Sequence, residues 1–176
     1  MKTGDIVTIG AWPQGADQEA REPLTWRVLE ARDGAALLLC DRAIAYQMYH
    51  EAFKPVTWHS CTLRRWMNGE FLDACFTEEE KARIVPTDTA KDTQDSVFCL
   101  SRDEVEDLLP DRLAQPTEHA NLYGTYIRCE YARWWLRSRG NTPLMALVVG
   151  DNSVIFSLGV ALKSVAVRPA IRVKAE

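Results

Sequence analysis

Three histidines, five cysteines and two arginines set inside apolar runs are the residues of this chain with most chemistry to offer. His50, His59 and Cys61 form the closest set of soft metal ligands, yet no pair among them has the spacing of a structural zinc site. No acidic EF-hand loop occurs either. No metal and no cofactor is therefore expected. His59, between Trp58 and Ser60, reads as a partly buried histidine near a helix start. Nucleophilic catalysis lacks a G-x-S-x-G elbow and a visible Cys–His pair. The nine glycines are dispersed, so no glycine-rich turn leads into a helix to hold a phosphate. One acid–base candidate remains: His119, in the run Pro116-Thr117-Glu118-His119-Ala120, with Glu118 and Arg137 as loop-borne partners. That grouping is the enzymatic alternative.

Arg137 lies in Trp134-Trp135-Leu136-Arg137-Ser138 and Arg168 in Val167-Arg168-Pro169-Ala170. An arginine within an apolar run is costly unless its donors meet carbonyls or carboxylates. Both are expected to tie strands or loops together from semi-buried positions, and Trp135 is expected to share that structural role.

The elements that must position these residues follow from the rest of the chain. Its 176 residues suit one domain, and 47% hydrophobic with 26% charged residues is globular composition. The formal charge is −4 and no basic run forms a patch, so neither nucleic acid nor an anionic membrane is an expected partner. Cys40, Cys61, Cys75, Cys99 and Cys129 are odd in number and widely spaced, which fits free buried thiols in a reducing compartment. Without an apolar leader after Met1 or an eighteen-residue apolar run, a cytoplasmic location is the expectation.

Asp5 to Gly10 reads as a first strand. Leu24 to Glu30 and Ala35 to Cys40 flank Asp33-Gly34, a type I′ hairpin signal. Ser60 can cap a helix carrying Leu63, Trp66, Met67 and Phe71 at helical spacing. Thr77 with Glu80, and Ser101 with Glu104, are capping-box pairs; the helices they open are expected to end near Val85 and Leu109. Val97 to Leu100 is a short strand, and 111–130 is read as irregular. Tyr131 to Leu136, Leu144 to Val149, Ser153 to Leu158 and Val165 to Val173 are strand-like. Strands at both ends with helices between them predict an α+β fold in which the terminal strands pair.

An ordered set of words carries a family resemblance: Gly4-Asp5-Ile6-Val7, Trp26-Arg27-Val28-Leu29, Thr57-Trp58, Cys61 to Asn68, Phe76 to Lys81, Val97 to Ser101, Trp135-Leu136-Arg137-Ser138 and Val167-Arg168-Pro169-Ala170. The sequence resembles a bacterial family known as domain of unknown function 6273. The resemblance implies a C-type-lectin-like fold, related to formylglycine-generating enzymes and to the variable proteins of diversity-generating retroelements. It implies paired terminal strands and a ligand face in the C-terminal half. Arg139-Gly140 stands where the family writes proline and glycine, and apolar residues replace a stretch usually rich in Asn, Ser, Tyr and Gly. The amide and acidic triplets of calcium lectins and the paired copper cysteines have no counterpart here.

The resulting expectation is a recognition module that presents the segment from Asn141 to Ser164 to another protein or ligand. Its candidate binding residues are Asn141, Leu144, Met145, Leu147, Val149, Asp151, Asn152, Ile155, Phe156 and Leu158, several of the apolar ones being expected at the surface. Leu147 with Val148, and Ile155 with Phe156, are apolar neighbours whose side chains point to opposite faces of a strand. One of each pair must be covered from within the chain or from outside it. A homo-oligomer pairing this face with itself is a further alternative.

Overall fold

Asp33 and Gly34 both adopt positive φ, 52° and 74°, the geometry a type I′ turn demands. They join β2 (Arg21–Arg32) to β3 (Ala35–Cys40) in an antiparallel register running from Arg32↔Ala35 to Trp26↔Cys40. The computed structural model describes residues 1–124 and 130–175; Cys129 lies outside them. β1 (Ile6–Pro13) pairs with the other side of β2, and β12 (Ala170–Lys174) pairs with β3. β7 (Val97–Phe98) completes a five-stranded sheet of order β1-β2-β3-β12-β7.

A second sheet has the order β10-β9-β8-β11-β4, built from β4 (Ala45–Tyr46), β8 (Trp134–Arg139), β9 (Met145–Val149), β10 (Ile155–Gly159) and β11 (Ala166–Val167). Its β8–β11 contact is parallel and its other pairings are antiparallel. β5 (Thr87–Ala90) and β6 (Thr93–Asp95) make a separate hairpin. The chain is thus α+β, with mostly antiparallel sheets and short helices.

Two strand expectations need correction. The first and last strands share a sheet but do not pair, because the β2–β3 hairpin closes locally and takes each of them as an outer partner. The run Val165 to Val173 is not one strand. Arg168-Pro169 interrupts it, since proline has no N–H for a ladder; the Pro169 carbonyl instead accepts from the Cys40 N–H at 2.9 Å. At that break the chain leaves the second sheet and enters the first.

The helices follow local signals more closely. α1 (Thr62–Trp66) continues through a π-helical turn, Met67–Phe71, into α2 (Leu72–Cys75). Its cap is the Cys61 sulfur, which accepts from the Arg64 N–H, whereas Ser60 ends a preceding 3-10 turn. α3 (Glu78–Lys81) and α4 (Arg102–Leu108) carry the two expected capping boxes. α3 stops short of Val85 because Ile84 bridges to Val173 and the Val85 N–H is taken by the Arg172 carbonyl. α5 (Glu118–Tyr123) lies in the stretch read as irregular; Thr117 caps it by accepting from the Ala120 N–H.

Aromatic side chains fill the core between these elements. Trp134 and Trp135 project to opposite faces of β8 and both are fully buried. Each finds a carbonyl for its indole N–H, Arg112 at 3.1 Å and Gln47 at 2.8 Å, while Trp26 donates to Ile9 at 2.7 Å. Strand β8 is therefore packed on both sides, and this bears on what its neighbour β9 and, beyond it, β10 can expose.

Candidate functional site

β9 and β10 are joined by a tight turn in which Ser153 takes a positive φ of 66° and the Asn152 side-chain oxygen accepts from the Val154 N–H. They pair from Ile155↔Val149 to Gly159↔Met145. The expected binding residues divide by this geometry. Asn141, Asp151 and Asn152 are exposed, and Leu144, Met145, Ile155, Phe156 and Leu158 are half-buried. Leu147 and Val149 are buried, so none of the apolar candidates is fully exposed, against the expectation that several would be. The faces of β9 are covered from within the chain, Ala146 to Val149 all being buried. Exposed apolar groups lie instead at residues the sequence reading did not choose: Phe53 at 63%, Val154 at 53% and Leu162 at 41%. Phe53 packs over Gly159, where a Cβ would meet its ring at 3.2 Å.

β10 is the outer strand of its sheet. Gly150 donates to the Val154 carbonyl and Val160 donates to the Leu144 carbonyl. By antiparallel alternation, the even-numbered residues of this strand bond to β9, and the backbone groups of Ile155, Ser157 and Gly159 point outward. Among the described residues, the Gly159 carbonyl accepts from Leu162, and no main-chain partner meets the outward groups of Ile155 and Ser157. The strand Val154 to Gly159 carries no charge and no proline. The other edges of the two large sheets are blunted. β4 and β7 have two residues each, and β1 has a bulge between Thr8 and Ala11 and ends on Pro13.

The two arginines anchor the scaffold behind this edge in different ways. Arg137 binds Glu104 through two nitrogens, at 2.5 and 3.1 Å, and donates to the carbonyls of Cys99 and Thr89 at 2.9 and 3.1 Å. Burial alone would raise the Glu104 carboxyl, but hydrogen bonds and charge from Arg137, with the Ser101 N–H and hydroxyl, hold it below the ordinary range. Arg168 donates to carbonyls only, those of Cys40, Asp41 and Leu113, above the Trp134 ring. Sequence reasoning placed both arginines but missed their partners. Glu104 was visible solely as a cap. Asp95, buried and accepting from Arg64 at 2.6 Å and Trp58 at 2.8 Å, carries no local signal.

The enzymatic grouping is not assembled. Arg137 is committed to Glu104, Cys99 and Thr89, and none of its hydrogen-bond partners is Glu118 or His119. His119 sits half-buried on α5 beside Tyr123, ring centroids 4.9 Å apart, with its Nδ1 buried and without a partner. Burial holds its pKa below the ordinary imidazole value. Among the described residues no cluster of three or more His, Cys, Asp or Glu side chains could hold a metal. His50 Nδ1 accepts from the Thr62 N–H, and His59 Nδ1 lies 2.7 Å from the Thr93 hydroxyl. Cys40, Cys61, Cys75 and Cys99 are free and buried; burial pushes Cys40 and Cys61 up to about 12 and Cys75 and Cys99 higher still. Among the described residues no helix is long and apolar enough to cross a membrane.

With the arginines and the edge strand placed, comparison with known families is decisive on one point: residues 33–175 match a domain of unknown function, DUF6273. The chain belongs to the DUF6273 family. No curated protein and no solved structure matches it. The DUF6273 match begins at the Asp33-Gly34 turn, so β1 and β2 precede it. Within the matched region the first strand is β3 and the last is β12, and those two pair antiparallel from Lys174↔Ala35 to Ala170↔Leu39. Phe53, Arg137, the β9–β10 hairpin and Arg168 all fall inside the family region.

Proposed function

We propose that this DUF6273 domain is a protein-recognition module on a C-type-lectin-like scaffold, and that its binding element is the free edge of β10, which takes up an extended strand of another protein. The observation that carries this reading is the uncharged run Val154 to Gly159 with outward main-chain groups at Ile155 and Ser157. Strand addition uses such groups for affinity and flanking side chains for specificity. Phe53, Val154 and Leu162 supply those flanks, and exposed Asn141, Asp151 and Asn152 supply polar ones. The lectin-like scaffold is supported by the pairing of β3 with β12, the two ends of the family region. A variable protein of a diversity-generating retroelement would display this same 141–164 segment; a reverse transcriptase gene with a template repeat beside the coding sequence would test that origin.

Selection of displayed random peptides on the purified protein tests the binding element. Selected peptides are expected to be extended and apolar, and Ser157→Pro should weaken them by about tenfold or more. That substitution removes no main-chain bond to β9, because the Ser157 N–H points outward; its one loss within the chain is the Ser157 hydroxyl that accepts from the Asn141 N–H at 3.0 Å, and Ser157→Ala controls for it. Peptides that bind parent and variant equally would place recognition elsewhere. Self-association of the parent that Ser157→Pro abolishes would make a second copy the occupant and overturn the hetero-partner reading.

A further inference from the structure

A pocket of about 620 Å3 lies away from β10, between the N-terminal loop, β2 and the segment that follows α4. That volume is in the range of small-molecule sites, roughly 300–1,000 Å3. Arg168 lines it while only 3% exposed. Its guanidinium has five N–H donors, and the described residues offer it three acceptors: Cys40 O at 2.9 Å, Asp41 O at 3.2 Å and Leu113 O at 3.5 Å. All three are neutral. Among the described residues no carboxylate forms an ion pair with it, in contrast to Arg137 and its Glu104; Asp41 and Asp111 act on it without an ion-pair contact. A buried cation without a contacting counter-charge is costly, and burial lowers the Arg168 pKa to about 10.

Two more arginines line the same pocket. Arg27 is paired with Asp41 at 3.1 Å, and Arg42 donates to the Pro116 carbonyl at 2.9 Å and has no carboxylate partner among the described residues. Asp111 also lines the pocket, so three arginines stand against two aspartates. The rest of the wall mixes polar and apolar residues, with Leu108, Leu109 and Leu113 among the apolar ones.

We propose that this pocket binds an amphipathic anion, with a carboxylate or phosphate head against Arg168 and Arg42 and an apolar body along Leu108, Leu109 and Leu113. A guanidinium is a planar fork that can meet either head group with two parallel bonds. The anion would supply the contacting counter-charge that the described residues do not give Arg168. An apolar tail would lie along the part of the wall that these leucines line.

The test uses four probes sharing an eight-carbon tail, titrated calorimetrically into the intact protein: octanoate, octyl phosphate, octylammonium and 1-octanol. At least one anion is expected to bind saturably, about tenfold or more tighter than the cation and the alcohol. The ranking of the two anions then names the head group. Arg42→Gln should weaken the anion several-fold, and Leu108→Trp, whose larger ring intrudes on the path of the tail, should weaken it about tenfold or more, with melting temperatures near that of the parent. Neither substitution touches the Arg168 hydrogen bonds. Equal affinity for octanol would reveal a plain apolar cavity, and absence of binding by both anions would also overturn the proposal. Anion binding unchanged in both variants would place it at another site. Ser157→Pro should leave anion binding intact, which keeps this site separable from the β10 edge.

Discussion

Truncating Arg137 to alanine strips Glu104 of its counter-charge and leaves the carbonyls of Thr89 and Cys99 short of a donor. The side chains are 12% and 22% exposed, so solvent can repair little of the loss. Breaking a buried pair from one side costs about 3–5 kcal/mol. At roughly 2–4 °C per kcal/mol for a chain of this length, the melting temperature should fall by roughly 6–20 °C. Glu104→Gln is the milder complement. Glutamine still serves a capping box, so α4 keeps its start while Arg137 loses the charge, at about 2–3 kcal/mol. The double variant Arg137→Met/Glu104→Gln should be less destabilised than the sum of the singles by about 1–3 kcal/mol. The pair also sets a pH dependence. The folded Glu104 pKa lies below its unfolded value, near 4.3 for glutamate. Its contribution is therefore complete above that pH and is lost as pH falls through the folded value. Parent and Glu104→Gln should differ by a constant amount near neutrality and converge below about pH 4. Urea denaturation across pH gives all of these quantities. A loss under about 1 kcal/mol in Arg137→Ala, with no coupling in the cycle, would refute the claim that this pair fastens α4 to β8.

Leu147→Ser should cost about 2–5 kcal/mol as a core truncation, whereas Val154→Ser, at an exposed site, should stay within about 0.5 kcal/mol; equal thermal melts for the two would contradict the assignment of β9 to the core. His50 and His119 are both held below the ordinary imidazole value, by burial first in each case. The unfolded chain therefore takes up their protons first, and stability should decline as pH falls below about 6.5; replacing both with glutamine should flatten that decline in denaturant titrations. In a Cys129→Ser background the four buried thiols should resist iodoacetamide at pH 8 and take four labels after unfolding, read by intact mass; rapid labelling of the native protein would show that they are accessible.

Signals confined to a few neighbouring residues were legible in the sequence. Asp33-Gly34 needs positive φ at both positions, and Thr77/Glu80 and Ser101/Glu104 close their own capping boxes, so each is settled within a few residues. Arg137 and Arg168 were recognisable as buried donors because an apolar run cannot leave a guanidinium unmet. Their acceptors were not, since Glu104 is 33 residues from Arg137 and Cys40 is 128 from Arg168. The order of strands was beyond local pattern for the same reason. Nothing within Ile6 to Pro13 or Ala170 to Lys174 says that a hairpin will lie between them.

The candidate site misled most where periodicity was weakest. Consecutive apolar residues in β9 and β10 have two explanations, a strand covered on both faces or a strand with one face open to a partner, and the sequence is the same in either case. What separates them is the neighbour. Trp134 and Trp135 are adjacent in sequence, project to opposite faces and are both fully buried, so layers of protein cover the sheet at β8 on each side. Cover that extends one strand further buries Val148 and Val149 at the matching levels of β9. One strand beyond that, the cover thins, and every residue of β10 is half-buried. The apolar character of β10 is thus accounted for on its faces, and the surplus lies in its edge. There an uncharged backbone row lacks the proline, lysine or bulge by which such rows are commonly protected. A binding function in the 141–164 segment, if carried by the strand itself, has to be exercised through main-chain groups and the side chains that flank them, not through a broad apolar face.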